Sequence, residues 1–222
     1  MSALEPLLLS FEVATLATLL ATVIGVALGG VLAMPRLRGR EVIDAAITAP
    51  MVLPPTVLGY YLLVLLGRRS AIGHAFEALT GSTIVFTRGG AVVAATLGAL
   101  PLISKAARAA LEGVDARLVG AARTLGASRW RAFSSVSLPL ARRGIVSGVL
   151  LGYARALGDF GVTLMVAGNI PGETRTASLA IFDAVLAGRD DDATRLALIM
   201  TGLAMAVLIG ASHLARQRRD DF

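Results

Sequence analysis

The stretch "GAARTLGASRW", residues 120–130, lies near the middle of the chain and combines small side chains, two glycines and two arginines. The surrounding sequence is strongly apolar, since 55% of the 222 residues are hydrophobic and the mean hydropathy is +0.74. Soluble domains usually contain about 45–50% apolar residues. The composition therefore indicates a membrane protein, and the quoted stretch is predicted to be a polar loop between membrane helices.

Five apolar runs flank this loop and are candidates for membrane helices: residues 11–34, 42–66, 90–104, 144–167 and 196–214. A helix needs about 20 apolar residues to cross a bilayer, so the third run is long enough only if it continues through Lys105 to Leu111. Residues 177–187 are a possible short helix on or partly in the membrane. The predicted fold class is all-α: a polytopic transmembrane helical bundle of five or six membrane segments, with residues 1–222 forming one domain.

The basic residues predict the orientation of the bundle. The formal net charge is +6, with eight Lys or Arg in 105–143, three in 35–41 and three after 214, against three in 67–90 and three in 168–195. Cytoplasmic loops carry the excess of positive charge, so the N-terminus is predicted outside and the C-terminus in the cytoplasm. Few aromatic residues accompany the basic ones, which argues against a nucleic-acid partner.

The central loop contains the signals of two short helices. Asp115 is a candidate N-cap, Gly126 suits the left-handed position after a helix, and Ser128 is a candidate cap for a second helix. Leu118 to Leu125 form a narrow apolar ridge with arginines around it. Such a shape suits a groove in another protein, but an amphipathic helix resting on lipid headgroups fits the residues equally well.

The spacing G-A-A-x3-G-x9-V-x-L-P places Gly120, Ala121, Ala122, Gly126, Leu138 and Pro139 in a pattern that resembles the cytoplasmic loop signature E-A-A-x3-G-x9-I-x-L-P of bacterial ABC importer permeases. Gly120 replaces the glutamate of that signature and Val136 replaces the isoleucine. The resemblance implies a type I ABC importer permease fold, in which the coupling loop at about 112–143 carries a cytoplasmic coupling helix that docks on an ATPase subunit.

Two further segments, "LPPTVLGYYLLVLLGRRSAIG" (53–73) and "LGDFGVTLMVAGNIPGETRTASLAIF" (157–182), are similar to the molybdate importer permeases. Sulfate permeases resemble the second segment, so sulfate is the alternative substrate, and tungstate shares the shape of molybdate. The resemblance implies a multi-pass protein of the bacterial inner membrane. Its implied partners are a second copy of the chain, an ABC ATPase, and a periplasmic or lipoprotein molybdate-binding protein.

Energy for transport is predicted to come from another chain. The only lysine, Lys105, follows "ALPLIS" rather than a Walker A loop, so the sequence predicts a transport subunit and not an enzyme. No cofactor or metal site is predicted, because His74 and His213 are isolated. A proton-coupled carrier is a weaker alternative: Asp159 is the only acid well inside a span, and such a carrier has no use for the loop spacing.

Prolines interrupt the second apolar run and suggest where an anion could pass. Pro54 and Pro55 are expected to break the helix, and a helix resuming near Pro55 is expected to leave the N–H groups of Thr56, Val57 and Leu58 unpaired. A helix N-terminus at membrane depth favours an anion, with the Thr56 hydroxyl as a further donor. The alternative is a kink satisfied by neighbouring helices.

The fourth apolar run contains a charged pair and a stripe of small residues. Arg155 and Asp159 are four residues apart, so they can pair as a gate on the translocation pathway or as a structural salt bridge. Gly148 and Gly152, with the same spacing as Gly25 and Gly29 in the first run, allow close helix packing within the bundle or between subunits.

Overall fold

The computed structural model describes residues 4–34 and 38–216, except for the side chains of 214–216. Part of the charge count in 35–41 and after 214 therefore lies outside the described residues. Within these ranges the chain has no β-strand and consists of α1 (Leu4–Leu32), α2 (Arg40–Val52), α3 (Pro55–Leu66), α4 (Ala71–Thr80), α5 (Arg88–Glu112), α6 (Ala116–Thr124), α7 (Arg129–Ala132), a π-turn (Phe133–Ser137), α8 (Leu138–Leu157), α9 (Gly161–Ala167), α10 (Ala177–Leu186) and α11 (Asp190–Arg216).

The described helices provide up to five membrane spans. Three are continuous and lie in α1, α5 and α11, while α2 with α3 and the 129–157 helix with α9 form two bent spans with turns of 112° and 60°. The third apolar run does continue past Lys105, as its length required. At 10 residues, α10 is about 15 Å long and too short to cross a bilayer of about 30 Å alone.

The centre of the bundle is α5. In its apolar stretch 67% of the residues are buried, against 11% in the apolar stretch of α11. Glycines let α1 and α8 approach it closely. A Cβ built on Gly29 would lie 2.7 Å from the Ser104 carbonyl oxygen, and one built on Gly152 would lie 2.6 Å from the fully buried Ile103. The glycine stripes at these positions thus pack within the chain, as expected from dispersion-driven helix association in lipid.

Candidate functional site

The central loop begins at a capped helix. The Asp115 carboxylate accepts a hydrogen bond from the Arg117 backbone N–H at 2.8 Å and forms an ion pair with the Arg117 guanidinium, also at 2.8 Å. The side-chain hydrogen bond from Arg117, followed by its backbone N–H, holds the pKa of Asp115 below its ordinary value. The predicted N-cap is confirmed, and the donors that Asp115 binds belong to Arg117 in the first turn of α6.

The loop turns at Gly126, which has a φ of 88°. The Ala127 N–H donates to the Ala122 carbonyl at 3.0 Å and the Gly126 N–H donates to the Arg123 carbonyl at 3.1 Å, the paired bonds of a Schellman motif. The Ser128 hydroxyl then accepts from the Arg131 N–H at 3.2 Å and starts α7. Two short helices at a glycine corner, as predicted, form an elbow that we define as residues 115–131.

The outer surface of the elbow is uncovered. No residue of α6 is buried, and Leu125 is 89% exposed. A Cβ built on Gly120 would meet no atom within 4 Å, so none of the residues that the structure describes occupies the space beside its backbone. Large apolar side chains exposed in this way mark a contact surface rather than a core.

Leu138 and Pro139 lie at the base of the elbow, apart from the residues of its tip. Leu138 packs with Phe133 against buried residues near the end of α5 and the beginning of α8. Its N–H donates to the Phe133 carbonyl five residues earlier, which closes the π-turn. Pro139 has no N–H to donate, so the helix cannot maintain its ordinary ladder at this point. The six signature residues therefore divide into a tip, Gly120 to Gly126, and a base, Leu138 and Pro139.

The first broken span differs from the expectation in one respect. Helix α3 resumes at Pro55 as predicted, but the Val57 and Leu58 N–H groups both donate to the Pro54 carbonyl, at 2.9 and 3.1 Å. The expectation that both are unpaired is wrong, because the Pro54 carbonyl points into the first turn of α3. Among the described residues only the Thr56 N–H of this group has no hydrogen-bond partner, and Thr56 is exposed.

The second broken span is held by Asp159, which is 4% exposed. Its carboxylate accepts hydrogen bonds from the Thr163 N–H at 3.1 Å, the Thr163 hydroxyl at 2.7 Å and the Arg155 guanidinium at 3.0 Å. The expected pair with Arg155 is present. Sequence reasoning missed Thr163, because Asp159 lies one residue before the N-cap Phe160 and the bond to Thr163 spans four residues rather than the two or three of an ordinary N-cap.

The two breaks lie against each other. A Cβ built on Gly161, the first residue of α9, would lie 2.7 Å from the Pro55 Cβ, and one built on Gly59 would lie 2.5 Å from the Met165 Cβ. Each half-helix thus places a glycine against the other. We call this contact of α3 with α9 the half-helix junction, and it brings Pro55 close to the chain segment that carries Asp159.

Arg155 is the least enclosed of the three hydrogen-bonded residues Arg155, Asp159 and Thr163. Its side chain is 39% exposed, and its guanidinium carbon would lie 3.5 Å from a Cβ built on Gly98. The glycine in α5 therefore leaves room for the guanidinium group. The guanidinium of Arg155 pairs with Asp159 and lies beside Gly98, and part of the side chain is exposed.

Two arginines outside the spans have partners within the chain. Arg68 pairs with Glu77, and hydrogen bonding from Arg68 lowers the pKa of the Glu77 carboxyl. Arg88 donates to the carbonyls of Gly172 and Glu173 at 3.1 and 3.2 Å. Arg68 thus joins the turn after α3 to α4, and Arg88 joins the start of α5 to the loop before α10.

The chain is thus a polytopic helical bundle with an uncovered, capped elbow and two packed half-helices. The profile of the binding-protein-dependent transport system inner membrane component matches residues 21–217, and the chain belongs to this family. It is a multi-pass inner-membrane permease subunit of an ABC importer, and ATP is hydrolysed by a separate subunit.

Individual relatives are similar over nearly the whole chain. The molybdenum transport system permease protein ModB of Escherichia coli (strain K12) is 43% identical over 217 residues, covering 97% of this chain and 95% of the relative. The probable sulfate transport system permease protein cysT of Chlorokybus atmophyticus is 36% identical, covering 96% and 76%. Among solved structures, the MetNI methionine ABC transporter in inward facing conformations has the same fold, with a TM-score of 0.76 at 17% identity, covering 98% and 99%.

Proposed function

We propose that this chain is the permease subunit of an ATP-driven importer of molybdate. The observation that carries the proposal is its 43% identity, over 97% of its length, to a relative named for molybdenum transport. Tungstate is included as a substrate because it has the same tetrahedral shape and charge. Sulfate is the second candidate, favoured by the relative that is named for sulfate and is 36% identical.

The proposed assembly contains two copies of this chain, two ATPase subunits in the cytoplasm, and a periplasmic or lipoprotein molybdate-binding protein outside. The N-terminus is outside and the C-terminus is cytoplasmic, an orientation supported by the eight basic residues in 105–143. The second copy is proposed from the membership of the chain in the binding-protein-dependent permease family.

The elbow is the proposed ATPase-coupling site. Gly120, Ala121 and Ala122 on α6, with Gly126 at the corner, present small groups beside an apolar ridge, so a groove can approach the helix backbone closely. Leu138 and Pro139 anchor and articulate the base. ATP-driven closure of the partner subunits would move the elbow and turn the bundle between outward and inward openings.

This coupling role is testable because the sequence contains no cysteine. Single Ala121→Cys or Ala122→Cys variants are expected to crosslink to the ATPase in membranes. The control is Leu79→Cys, at an exposed position of α4 on the opposite predicted side. Capture of no ATPase from α6, or labelling of Ala121→Cys by an impermeant reagent outside intact cells, contradicts the proposal.

The half-helix junction and its neighbours are the proposed translocation pathway, formed by Pro54, Pro55, Thr56, Arg155 and Asp159. The free Thr56 N–H and the start of α3 favour negative charge. The partly exposed guanidinium of Arg155 adds positive charge. The negative charge of Asp159 lowers the local positive potential, so that a dianion is not bound too tightly to leave. If Thr56→Val and Pro55→Ala both preserve wild-type uptake at normal expression, these residues do not line the path.

Substrate and energy source are tested by uptake. Cells lacking this chain are expected to lose molybdenum accumulation in excess sulfate and to regain it when the chain is restored. Unchanged accumulation refutes the molybdate assignment, and loss of sulfate uptake alone supports the second candidate. In proteoliposomes containing the ATPase and the binding protein, uptake is expected to require ATP and to persist without a proton gradient. Uptake that requires a proton gradient and no ATP favours a proton-coupled carrier.

A further inference from the structure

Four charged side chains join the start of α2 to the end of α5. Arg40 Nη2 lies 2.7 Å from Glu112 Oε1, and Arg108 Nη1 lies 3.2 Å from Asp44 Oδ2. Arg108 Nε also lies 3.1 Å from Glu112 Oε1. Each helix contributes one cation and one anion a single turn apart. We call the two ion pairs between the antiparallel helices, Arg40–Glu112 and Arg108–Asp44, the rungs, and the Arg108–Glu112 pair within α5 the brace. We call Arg40, Asp44, Arg108 and Glu112 the α2–α5 clasp.

The clasp is the attachment that matters most for α2. Each of the four side chains is partly covered, with 21–38% of it exposed, and the ion pairs lie at the surface of this chain. No residue of α2 is buried. Within 4–34 and 38–216, α2 forms no other side-chain hydrogen bond or ion pair with another element.

The ends of the clasp lie beside the two working parts of the protein. Glu112 is the last residue of α5, and the Asp115 cap of the elbow follows within three residues. At its other end, α2 finishes at Val52, directly before the Leu53–Pro54 break. A force applied to the elbow can therefore reach the break through the 13-residue helix α2, which continues through Pro50.

We propose that the α2–α5 clasp transmits the movement of the elbow to the half-helix junction. The end of α5 and α2 move as one body through the transport cycle, and the change of angle is absorbed at Pro54, where the helical hydrogen-bond ladder is interrupted. Arg40, Asp44, Arg108 and Glu112 are positioning residues that touch neither ATP nor the anion. This inference rests on the proposed coupling and pathway roles.

The decisive readout is the number of ATP molecules hydrolysed per molybdate imported by the reconstituted complex, normalised to assembled complex. Asp44→Asn with Arg108→Gln is expected to raise this ratio about 3-fold or more while hydrolysis continues, because coupling between the sites is weakened. The matched control, Arg68→Gln with Glu77→Gln, removes an ion pair away from this route and is expected to leave the ratio unchanged. An unchanged ratio in the clasp variant overturns the inference.

Charge reversal separates transmission from loss of folding. Reversing only α2, with Arg40→Glu and Asp44→Arg, opposes like charges on both rungs and is expected to uncouple the complex. Adding Arg108→Glu and Glu112→Arg restores both rungs and the brace, and is expected to return the ratio to within about 2-fold of wild type. A fourfold variant that assembles but stays uncoupled contradicts the clasp.

A reversible crosslink tests whether the clasp stays closed. Asp44→Cys with Arg108→Cys is expected to be uncoupled before crosslinking and recoupled when a short cleavable reagent joins the two thiols. Loss of uptake on crosslinking, regained on cleavage, would show that α2 and α5 must separate and would overturn the inference. Failure of the proposed function looks different: the wild-type complex itself would lack ATP-driven molybdate uptake.

Discussion

The elbow and the half-helix junction are both glycine-dependent, but different forces hold them. In the elbow, Gly126 supplies a left-handed backbone conformation, and hydrogen bonds between near neighbours complete the turn. In the junction, Gly161 and Gly59 supply empty space, which residues distant in sequence fill. The comparison teaches that the elbow can keep its shape while it moves, whereas the junction exists only when two spans are packed together.

The largest expected effect tests the buried anchor of the junction. Asp159→Ala leaves the Thr163 donors and Arg155 without their acceptor and should destabilise the purified permease by about 2–3 kcal/mol. Thr163→Val removes only part of this network and should cost about 1 kcal/mol. Denaturant unfolding in detergent measures both values. Equal small effects would show that the carboxylate does not hold the junction.

The next largest effect tests whether Gly161 is needed because the junction has no room for a side chain there. Gly161→Ala places a methyl group against Pro55 and should destabilise the bundle by about 1–3 kcal/mol through overpacking, with a matching fall in uptake. Gly202→Ala is the control, since a Cβ there would meet no atom within 4 Å. Thermal unfolding of the two variants gives the comparison. A tolerated Gly161→Ala contradicts the close contact of α3 with α9.

Two glycines of the elbow should respond in opposite directions to the same substitution. Gly126→Ala must place a side chain at positive φ and should weaken the corner by about 1–2 kcal/mol. Gly120→Ala lies within α6 and should strengthen that helix by about 1 kcal/mol. Hydrogen exchange of the elbow amides measures both changes, and the unfolding of the bundle should not shift. A change in bundle stability would mean that the elbow is not independent.

The smallest effect concerns the Asp115 cap. Because the folded pKa is lowered, the cap contributes fully above the unfolded pKa of about 3.9 and is lost as pH falls through the folded value. NMR of the Arg117 amide in labelled protein should therefore titrate with a midpoint below that value. Asp115→Asn should abolish the titration. A midpoint at or above the ordinary aspartate value contradicts the cap geometry.

The parts of the molecule that depend on near neighbours in sequence could be predicted. The Asp115 and Ser128 caps, the Gly126 corner and the apolar runs all depend on residues within a few positions, and the structure reproduces them. The Arg155–Asp159 pair belongs to the same group, because four residues separate its members on one helix.

The tertiary features could not be predicted in the same way. Nothing in the spacing indicates that Gly161 faces Pro55 or that Arg108 meets Asp44, because both contacts depend on how separate helices cross. The error at Val57 and Leu58 has a similar origin. Counting free N–H groups at a helix start ignores the direction of the Pro54 carbonyl, which the bend between α2 and α3 sets.

The π-turn at Phe133–Ser137 also fixes the angular phase of the elbow. One α-helical residue advances the chain by about 100° around the helix axis, so the extra residue of the π-turn sets where the elbow points relative to the glycine face of α8. Deleting one residue there and restoring a regular helix would swing the elbow by roughly that angle. The number of residues in this segment therefore determines the direction of the elbow relative to α8.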